Sequence, residues 1–101
     1  MSERTLKVPK SVRDLIRHLH PHMKRKVREA LNDILTDPKS GKPLQRKLEG
    51  YWSLRIARHR IIYRPDEDGS EIVAFGPRKS IYEEMARHAI SERRGTESKP
   101  Q

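Results

Sequence analysis

Cysteine is absent from this chain of 101 residues, and aromatic residues make up only 5% of it. Without cysteine there can be no disulfide, no thiolate metal site and no cysteine nucleophile, which fits a reducing compartment. No apolar run approaches the roughly 20 residues that a membrane-spanning helix needs, and residues 1–10 lack the apolar segment of a secretory signal. We therefore expect a cytoplasmic protein with no membrane association.

Glycine is also scarce, and the five glycines are scattered between positions 41 and 95. They form neither a phosphate-binding loop nor a dinucleotide-binding fingerprint. His18, His20 and His22 suggest a metal site, but alternate positions of a helix point apart, and Pro21 interrupts the one pair at helical spacing. We therefore expect no metal and no small-molecule cofactor, and we interpret the three histidines as solvated turn residues.

Charged residues make up 37% of the chain and hydrophobic residues 33%. A chain of this length forms one ordinary domain, so the sequence predicts a single small core with a large solvated surface. We expect one domain over residues 1–90. The polar residues 91–101 are expected to form a flexible tail.

Positive charge is in clear excess, because 23 lysines and arginines face 14 acidic residues and give a formal net charge of +9. Such an excess favours a polyanionic partner, nucleic acid above all. The alternative is that the charge only keeps the surface solvated. Composition does not decide between the two.

Two amphipathic helices are predicted after a short strand over Thr5–Val8. Ser11 followed by Asp14 is a helix-start signature, and Pro21 is suited to end the first helix and to begin the second. The second helix is expected to continue up to Asp37, ahead of a proline. The apolar residues that recur at helical spacing and should face the core are Val12, Leu15, Ile16, Leu19, Met23, Val27, Ala30, Leu31, Ile34 and Leu35.

Strand patterns dominate the second half of the chain. Residues 38–43 contain a glycine and two prolines and are expected to form a loop. The expected elements after it are strands over residues 52–57, 60–64 and 71–75, a hairpin turn over residues 66–70, a strand break at Gly76-Pro77 and a last helix over Tyr82–Ile90. This order predicts an α+β fold, in which a helix hairpin covers one face of a mostly antiparallel, four-stranded sheet.

Arginine is concentrated in one segment, since residues 51–64 hold four arginines, one histidine and no acidic residue. A surface that serves only solubility usually mixes charges of both signs. Guanidinium groups on neighbouring strands, such as those of Arg55 and Arg60, can clamp phosphate oxygens. Arg78, just past the last strand, could join them.

These residues are suited to the cleavage of RNA by its own 2′-hydroxyl. That reaction needs a base at the hydroxyl, cations at the phosphorane and a proton for the leaving 5′-oxygen, and it requires no metal. Tyr82 can be the base only where positive charge favours its ionised form, and an arginine cluster has that sign. The alternative for Tyr82 is an aromatic residue that packs the last helix on the sheet. His59 is another candidate for proton transfer, although Arg58 and Arg60 would favour its neutral form.

Three segments, LEGYWSLRI at residues 48–56, RIIY at 60–63 and GPRKSIY at 76–82, together resemble the RelE/ParE toxin superfamily. The resemblance covers roughly residues 5 to 90. It implies a RelE-like fold and a toxin of a type II toxin–antitoxin pair, with a cognate antitoxin as partner. RelE-like members cut messenger RNA in the ribosomal A site, whereas the ParE branch acts on DNA gyrase. A non-catalytic RNA-binding module is a third alternative.

The resemblance also implies roles for individual residues. By position, Arg60 matches a phosphate-binding arginine, Arg78 an arginine that stabilises the transition state, and Tyr82 the proposed general base. Arg55 stands where the best-known members have a basic residue on the strand. Retention of Arg60, Arg78 and Tyr82 together favours the RNase branch.

Two positions depart from the family's pattern. Ser53 stands where the best-known members have a further lysine, and Ala57-Arg58-His59 replaces a Gly-x-Tyr or Gly-x-Phe segment. We expect Arg58 or His59 to supply the missing positive charge; the alternative is that cleavage is weak. With Arg55 and Lys79 they complete the predicted RNA-binding surface.

Overall fold

The structure is a computed structural model that describes residues 4–77 and 80–82. The elements in chain order are β1 (Thr5–Lys7), α1 (Lys10–Arg17), α2 (Pro21–Thr36), β2 (Lys42–Pro43), a short 3-10 helix (Arg46–Leu48), β3 (Trp52–Ile56), β4 (His59–Asp66) and β5 (Gly69–Pro77). Residues 80–82 are helical, and the rest of the predicted last helix lies outside the described residues, as does the predicted tail. Within the described part, no helix is long and apolar enough to cross a membrane.

The sheet has five strands in the order β1-β5-β4-β3-β2. β1 runs parallel to β5, and the other neighbours are antiparallel, which confirms the predicted α+β fold. The predicted count of four strands is wrong, because residues 42–43 of the expected loop pair with β3. This pairing continues in a hydrogen bond of 2.8 Å from the Leu44 N–H to the Tyr51 carbonyl. A two-residue edge strand is too short to show the alternation of apolar and polar residues by which a strand is predicted from sequence.

Both faces of the sheet bury apolar side chains. The face that the helices cover holds the main core, formed by Val12, Val27, Ala30, Ile34, Ile56, Ile61, Tyr63, Ile72 and Phe75. The opposite face carries a smaller cluster of Tyr51, Ile62 and Ile81, against which Leu44, Leu48, Val73, Ala74 and Tyr82 pack. The second face is therefore partly covered, and its polar side chains stand beside packed apolar ones.

The start of α1 differs from the prediction. Pro9 caps the helix in an extended conformation and no side chain caps it, so the expectation that Ser11 begins the helix is wrong. The expectation that Leu15 faces the core is also wrong, because Leu15 is 53% exposed. At about 100° per residue, Ile16 is turned about 40° from the buried Val12 and Leu15 about 60° on the other side, which puts Leu15 at the edge of the stripe.

α2 agrees with the prediction. Pro21 occupies its first turn, and Asp37 is its C-terminal cap. Val27, Ala30 and Ile34 are its buried residues, at the spacing that a helix packed on a sheet requires.

β4 and β5 are longer than predicted. The expectation that Pro65 ends β4 is wrong, because β4 continues to Asp66. β4 lies between β5 and β3, and its pairing with β3 ends at Tyr63, which pairs with Trp52. Pro65 therefore has no partner in β3, and its missing N–H costs no hydrogen bond to that strand. The predicted break at Gly76-Pro77 is wrong as well, since β5 includes both residues.

Gly69 allows β1 to join the sheet. It pairs with Thr5 and has a φ of +155°, which disfavours any other residue. A Cβ at this position would lie 1.8 Å from the Thr5 carbonyl oxygen. The approach of the two backbones therefore depends on the absence of a side chain.

We expect Gly69→Ala to lower the free energy of unfolding by about 2–3 kcal/mol, because the new Cβ must push β1 off β5. Gly50→Ala is the matched control. Gly50 also has a positive φ, +96°, but an added Cβ would have no neighbour within 4 Å, so we expect a loss of only about 1 kcal/mol. Urea denaturation measures both, and equal losses would contradict the steric role of Gly69.

Candidate functional site

Ser53, Arg55 and Arg60 project from the sheet face that the helices leave uncovered. Arg55 pairs directly with Arg60 across β3 and β4, and Ser53 lies two residues before Arg55 on the same strand. Alternate residues of a strand share a face. Ile62, two residues after Arg60, belongs to the apolar cluster of this face. The register of one hairpin thus places two arginines and one hydroxyl on the same face.

Ser53 connects Arg60 to Tyr82. Nη1 of Arg60 donates a hydrogen bond of 3.2 Å to Oγ of Ser53, and the same Oγ lies 3.3 Å from the Tyr82 hydroxyl, within hydrogen-bond distance. The guanidinium carbon of Arg60 also lies over the Tyr82 ring, 5.7 Å from its centre, at a distance where a cation attracts the ring face. Ser53 is only 2% exposed. These three side chains therefore form one fixed group.

Sequence reasoning missed this role of Ser53 and treated the residue only as the loss of a lysine. Strand alternation places Ser53 on the face of Arg55. The contacts of Ser53 with Arg60 and Tyr82 depend on strand register and on how residues 80–82 pack. Neither can be predicted from a local sequence pattern.

Arg55 and Arg58 lie at the turn end of the β3–β4 hairpin. Arg55 is exposed, and its Nε donates to the carbonyl of Ala57 at 3.2 Å. Ala57 has a φ of +54° in the two-residue turn, the region where its relatives' glycine would be unstrained. Arg58 follows in the same turn and is exposed. Arg55 lines the same cleft as Arg60, and Arg58 is not among the residues that line it.

His59 lies on the other face of the sheet. Its ring stacks on Phe75 of the main core, with ring centres 5.1 Å apart and 9° between the planes. Its buried Nδ1 has no hydrogen-bond partner among the described residues. The structure therefore does not bring His59 together with Arg60 and Tyr82.

Arg78 and Lys79 lie outside the described residues. Their predicted roles at the site stay predictions.

Of the three histidines at the helix connection, His18 and His20 cap helix ends, and His22 lies in the first turn of α2. Nδ1 of His18 lies 2.8 Å from the Asp14 carbonyl, and Nδ1 of His20 accepts a hydrogen bond of 3.1 Å from the His22 N–H. All three are exposed. In residues 4–77 and 80–82, no group of three or more histidine, aspartate or glutamate side chains is placed to hold a metal ion.

A cleft of about 230 Å³ opens beside Arg55 and Arg60, and the segment before β2 forms its other wall. Tyr63 fixes that segment through two hydrogen bonds. Its buried hydroxyl donates one of 2.7 Å to the Pro38 carbonyl and accepts one of 3.0 Å from the Gly41 N–H. Gly41 approaches β3 so closely that a Cβ would lie 2.5 Å from the Ser53 carbonyl oxygen. The segment that forms this wall of the cleft is therefore held in a fixed position relative to the sheet.

Burial raises the pKa of Tyr63 above 10.0, and the charge of Asp37 acts in the same direction. Hydrogen bonds from Gly41 and Ser40 partly oppose this rise in pKa. The hydroxyl accordingly keeps the proton that it donates to Pro38.

We expect Tyr63→Phe to lower the free energy of unfolding by about 1–3 kcal/mol, because the Pro38 carbonyl and the Gly41 N–H lose their partner. Faster hydrogen exchange at Gly41 should accompany the loss. Tyr82→Phe is the matched control, since its hydroxyl makes a longer contact in a less buried place. A stability loss in Tyr63→Phe no larger than that in Tyr82→Phe would show that the hydroxyl does not hold the segment.

The raised pKa of Tyr63 predicts a pH dependence. The unfolded chain ionises this tyrosine near pH 10.0, and the folded chain only at higher pH, so the stabilisation is present below pH 10.0 and decreases as the pH rises through the folded value. The stability difference between wild type and Tyr63→Phe should therefore narrow above about pH 10. Urea denaturation between about pH 8 and 11 measures it, and a difference that stays constant would contradict the assignment.

Comparison with known proteins places the chain among the toxins of type II toxin–antitoxin systems. Residues 3–82 match the family of the ParE toxin of the type II toxin–antitoxin system parDE. The toxins YoeB of Mycobacterium bovis and RelK of Mycobacterium tuberculosis are each 43% identical to this chain over a stretch that covers 44% of it. That stretch is 58% of either relative, so the chain spans less than two thirds of their length.

Solved structures show the same fold over most of the chain. The toxin–antitoxin complex RelBE2 of Mycobacterium tuberculosis is 30% identical, with a TM-score of 0.64 over 77% of this chain and 94% of that one. The free RelE mutant of E. coli is 14% identical, with a TM-score of 0.65 over 91% of this chain and 98% of that one. In the YoeB–YefM complex of Staphylococcus aureus the identity is 19% and the TM-score 0.60, over 73% and 95% of the two chains.

Proposed function

The chain belongs to the ParE toxin family of type II toxin–antitoxin systems, and from this premise we propose that it is a ribosome-dependent endoribonuclease that cuts messenger RNA and stops translation. The observation that carries the proposal is the hydrogen-bonded group of Arg60, Ser53 and Tyr82. It combines a phosphate-binding cation with a hydroxyl that can move a proton, on a face where Arg55 adds a second cation.

In the proposed reaction the RNA supplies its own nucleophile. Arg60 and Arg55 hold the oxygens of the scissile phosphate, and the phenolic oxygen of Tyr82 acts as the general base that takes the proton of the 2′-hydroxyl. The 2′-oxygen then bonds to phosphorus, the bond from phosphorus to the 5′-oxygen breaks, and that oxygen takes a proton from water. The products are a 2′,3′-cyclic phosphate and a 5′-hydroxyl.

The cations of the site stabilise the negative charge that develops during this reaction. Arg60 stands over the Tyr82 ring, and its guanidinium lines the same cleft as Arg55, where both cations can stabilise charge on the phosphate. Arg78 is assigned to the phosphorane by the family resemblance. Ser53 is a positioning residue, because its hydroxyl fixes Arg60 and Tyr82 relative to each other.

The solved relatives support the proposal of a partner protein. Several of them are complexes of a toxin with its antitoxin, and we propose a cognate antitoxin for this chain as well. We also propose the cytoplasm as its site of action, since that is where messenger RNA is translated on ribosomes.

The second candidate is a toxin directed at DNA gyrase, the target that the family resemblance implies for the ParE branch, after which the matched family is named. Induction of the protein in bacteria separates the two. Mapping of transcript ends should show cuts in phase with codons, with intact DNA. DNA breaks with intact messenger RNA would establish the gyrase-directed function instead, and unaffected growth would leave a non-catalytic RNA-binding module.

We expect Tyr82→Phe to reduce cleavage of a defined messenger RNA on purified ribosomes by about 10²–10⁴-fold, because the base is lost. Ser53→Ala should lower kcat by about 10–100-fold and leave KM unchanged, because the group loses its alignment and keeps its charge. Arg25→Gln is the control, since it removes an exposed cation of α2, on the covered side of the sheet.

Circular dichroism must show that the three variants are folded. Cleavage by Tyr82→Phe at the wild-type rate would remove the tyrosine from the mechanism. A rise in KM with unchanged kcat in Ser53→Ala would reduce Ser53 to a binding role.

A further inference from the structure

Lys42 stands opposite Ser53 in the sheet. The two residues are paired in register between β2 and β3, and directly opposed residues of antiparallel strands project to the same face. That face also carries Arg55 and Arg60. Lys42 thus adds a third cation to the group, from a strand that the sequence predicted as a loop.

The backbone holds Lys42 in this place. Gly41, the residue before it, is hydrogen-bonded to the buried Tyr63 hydroxyl at 3.0 Å and leaves no room for a Cβ against the Ser53 carbonyl. Leu44, two residues after it, is bonded to Tyr51 across the strands. The backbone of Lys42 is therefore held in place, and its flexible side chain can adapt to a ligand.

The charged residues that line the cleft with Lys42, within the described part of the chain, are all positive. The residues that line the cleft are Ser40, Gly41, Lys42, Ser53, Leu54, Arg55 and Arg60, and none of them is acidic. The ion pairs found in the described part of the chain, Lys7–Asp66 and Arg64–Glu71, do not involve Lys42, Arg55 or Arg60. Three cations with no carboxylate paired to them among residues 4–77 and 80–82 repel one another, and a phosphate group relieves that repulsion.

We propose that Lys42 is a phosphate-binding residue of this site, which contacts the RNA backbone next to the phosphate held by Arg60. The inference rests on the proposed function for the identity of the ligand. It also gives a physical account of Ser53, because the positive charge that relatives carry at that position is supplied here from the neighbouring strand. The hydroxyl at position 53 is then available to connect Arg60 with Tyr82.

Binding of a single-stranded RNA of about ten nucleotides tests this assignment. Every 2′-hydroxyl of the probe is methylated, so that it cannot be cut, and affinity is measured by fluorescence anisotropy at several salt concentrations. Each phosphate contact contributes about 0.7 to the slope of log K against log salt for single strands. Lys42→Gln should therefore reduce the slope by about 0.7, and Lys42→Arg should restore it.

Lys39→Gln is the matched control, because Lys39 is an exposed lysine of the same segment that does not line the cleft. Equal slopes for Lys42→Gln and Lys39→Gln would overturn the inference, and so would wild-type protein that fails to bind the probe at the lowest salt. The proposed function is tested separately by cleavage on ribosomes. A wild-type protein that cleaves while Lys42→Gln keeps the full slope would refute only the role of Lys42.

Discussion

The register between β3 and β4 is the constraint on which both the core and the candidate site depend. It pairs Arg55 with Arg60 and Leu54 with Ile61, so one face of the hairpin is cationic and the other apolar. A slip of one residue in one strand would turn its whole set of side chains to the opposite face. The core opposes such a slip, because Ile61 and Ile56 are fully packed beneath the helices. The free energy of burying apolar side chains on one face thereby fixes the spacing of charges on the other.

Helices and strands whose apolar residues recur at a regular spacing could be predicted from the sequence. The helical spacing of Val27, Ala30 and Ile34 located α2, and the alternation around Trp52 and Ile56 located β3. Strand bounds that depend on residues far away in the chain could not be predicted in this way. β2 exists because Tyr63 and Ser53 hold the segment before it, and β4 passes through Pro65 because β3 has already ended.

The same limit applies to the site. The resemblance to a known family selected Arg60 and Tyr82, which the structure brings together. Neither the resemblance nor any local pattern indicated that Ser53 would join them or that Lys42 would lie beside them, because both facts follow from strand register. The clustered cations also have a physical cost, since like charges held at a rigid surface destabilise the folded state until a polyanion binds. Sites that trade stability for function in this way are common in enzymes.

The central proposal is that this face cuts RNA through the 2′-hydroxyl of the nucleotide before the broken bond. The most direct measurement uses ribosomes programmed with a messenger RNA that carries a single 2′-deoxynucleotide at the mapped cleavage position. The account predicts that the cut at this bond disappears, and that the unmodified messenger yields a 2′,3′-cyclic phosphate at the same bond. Continued cleavage next to the deoxynucleotide would contradict it.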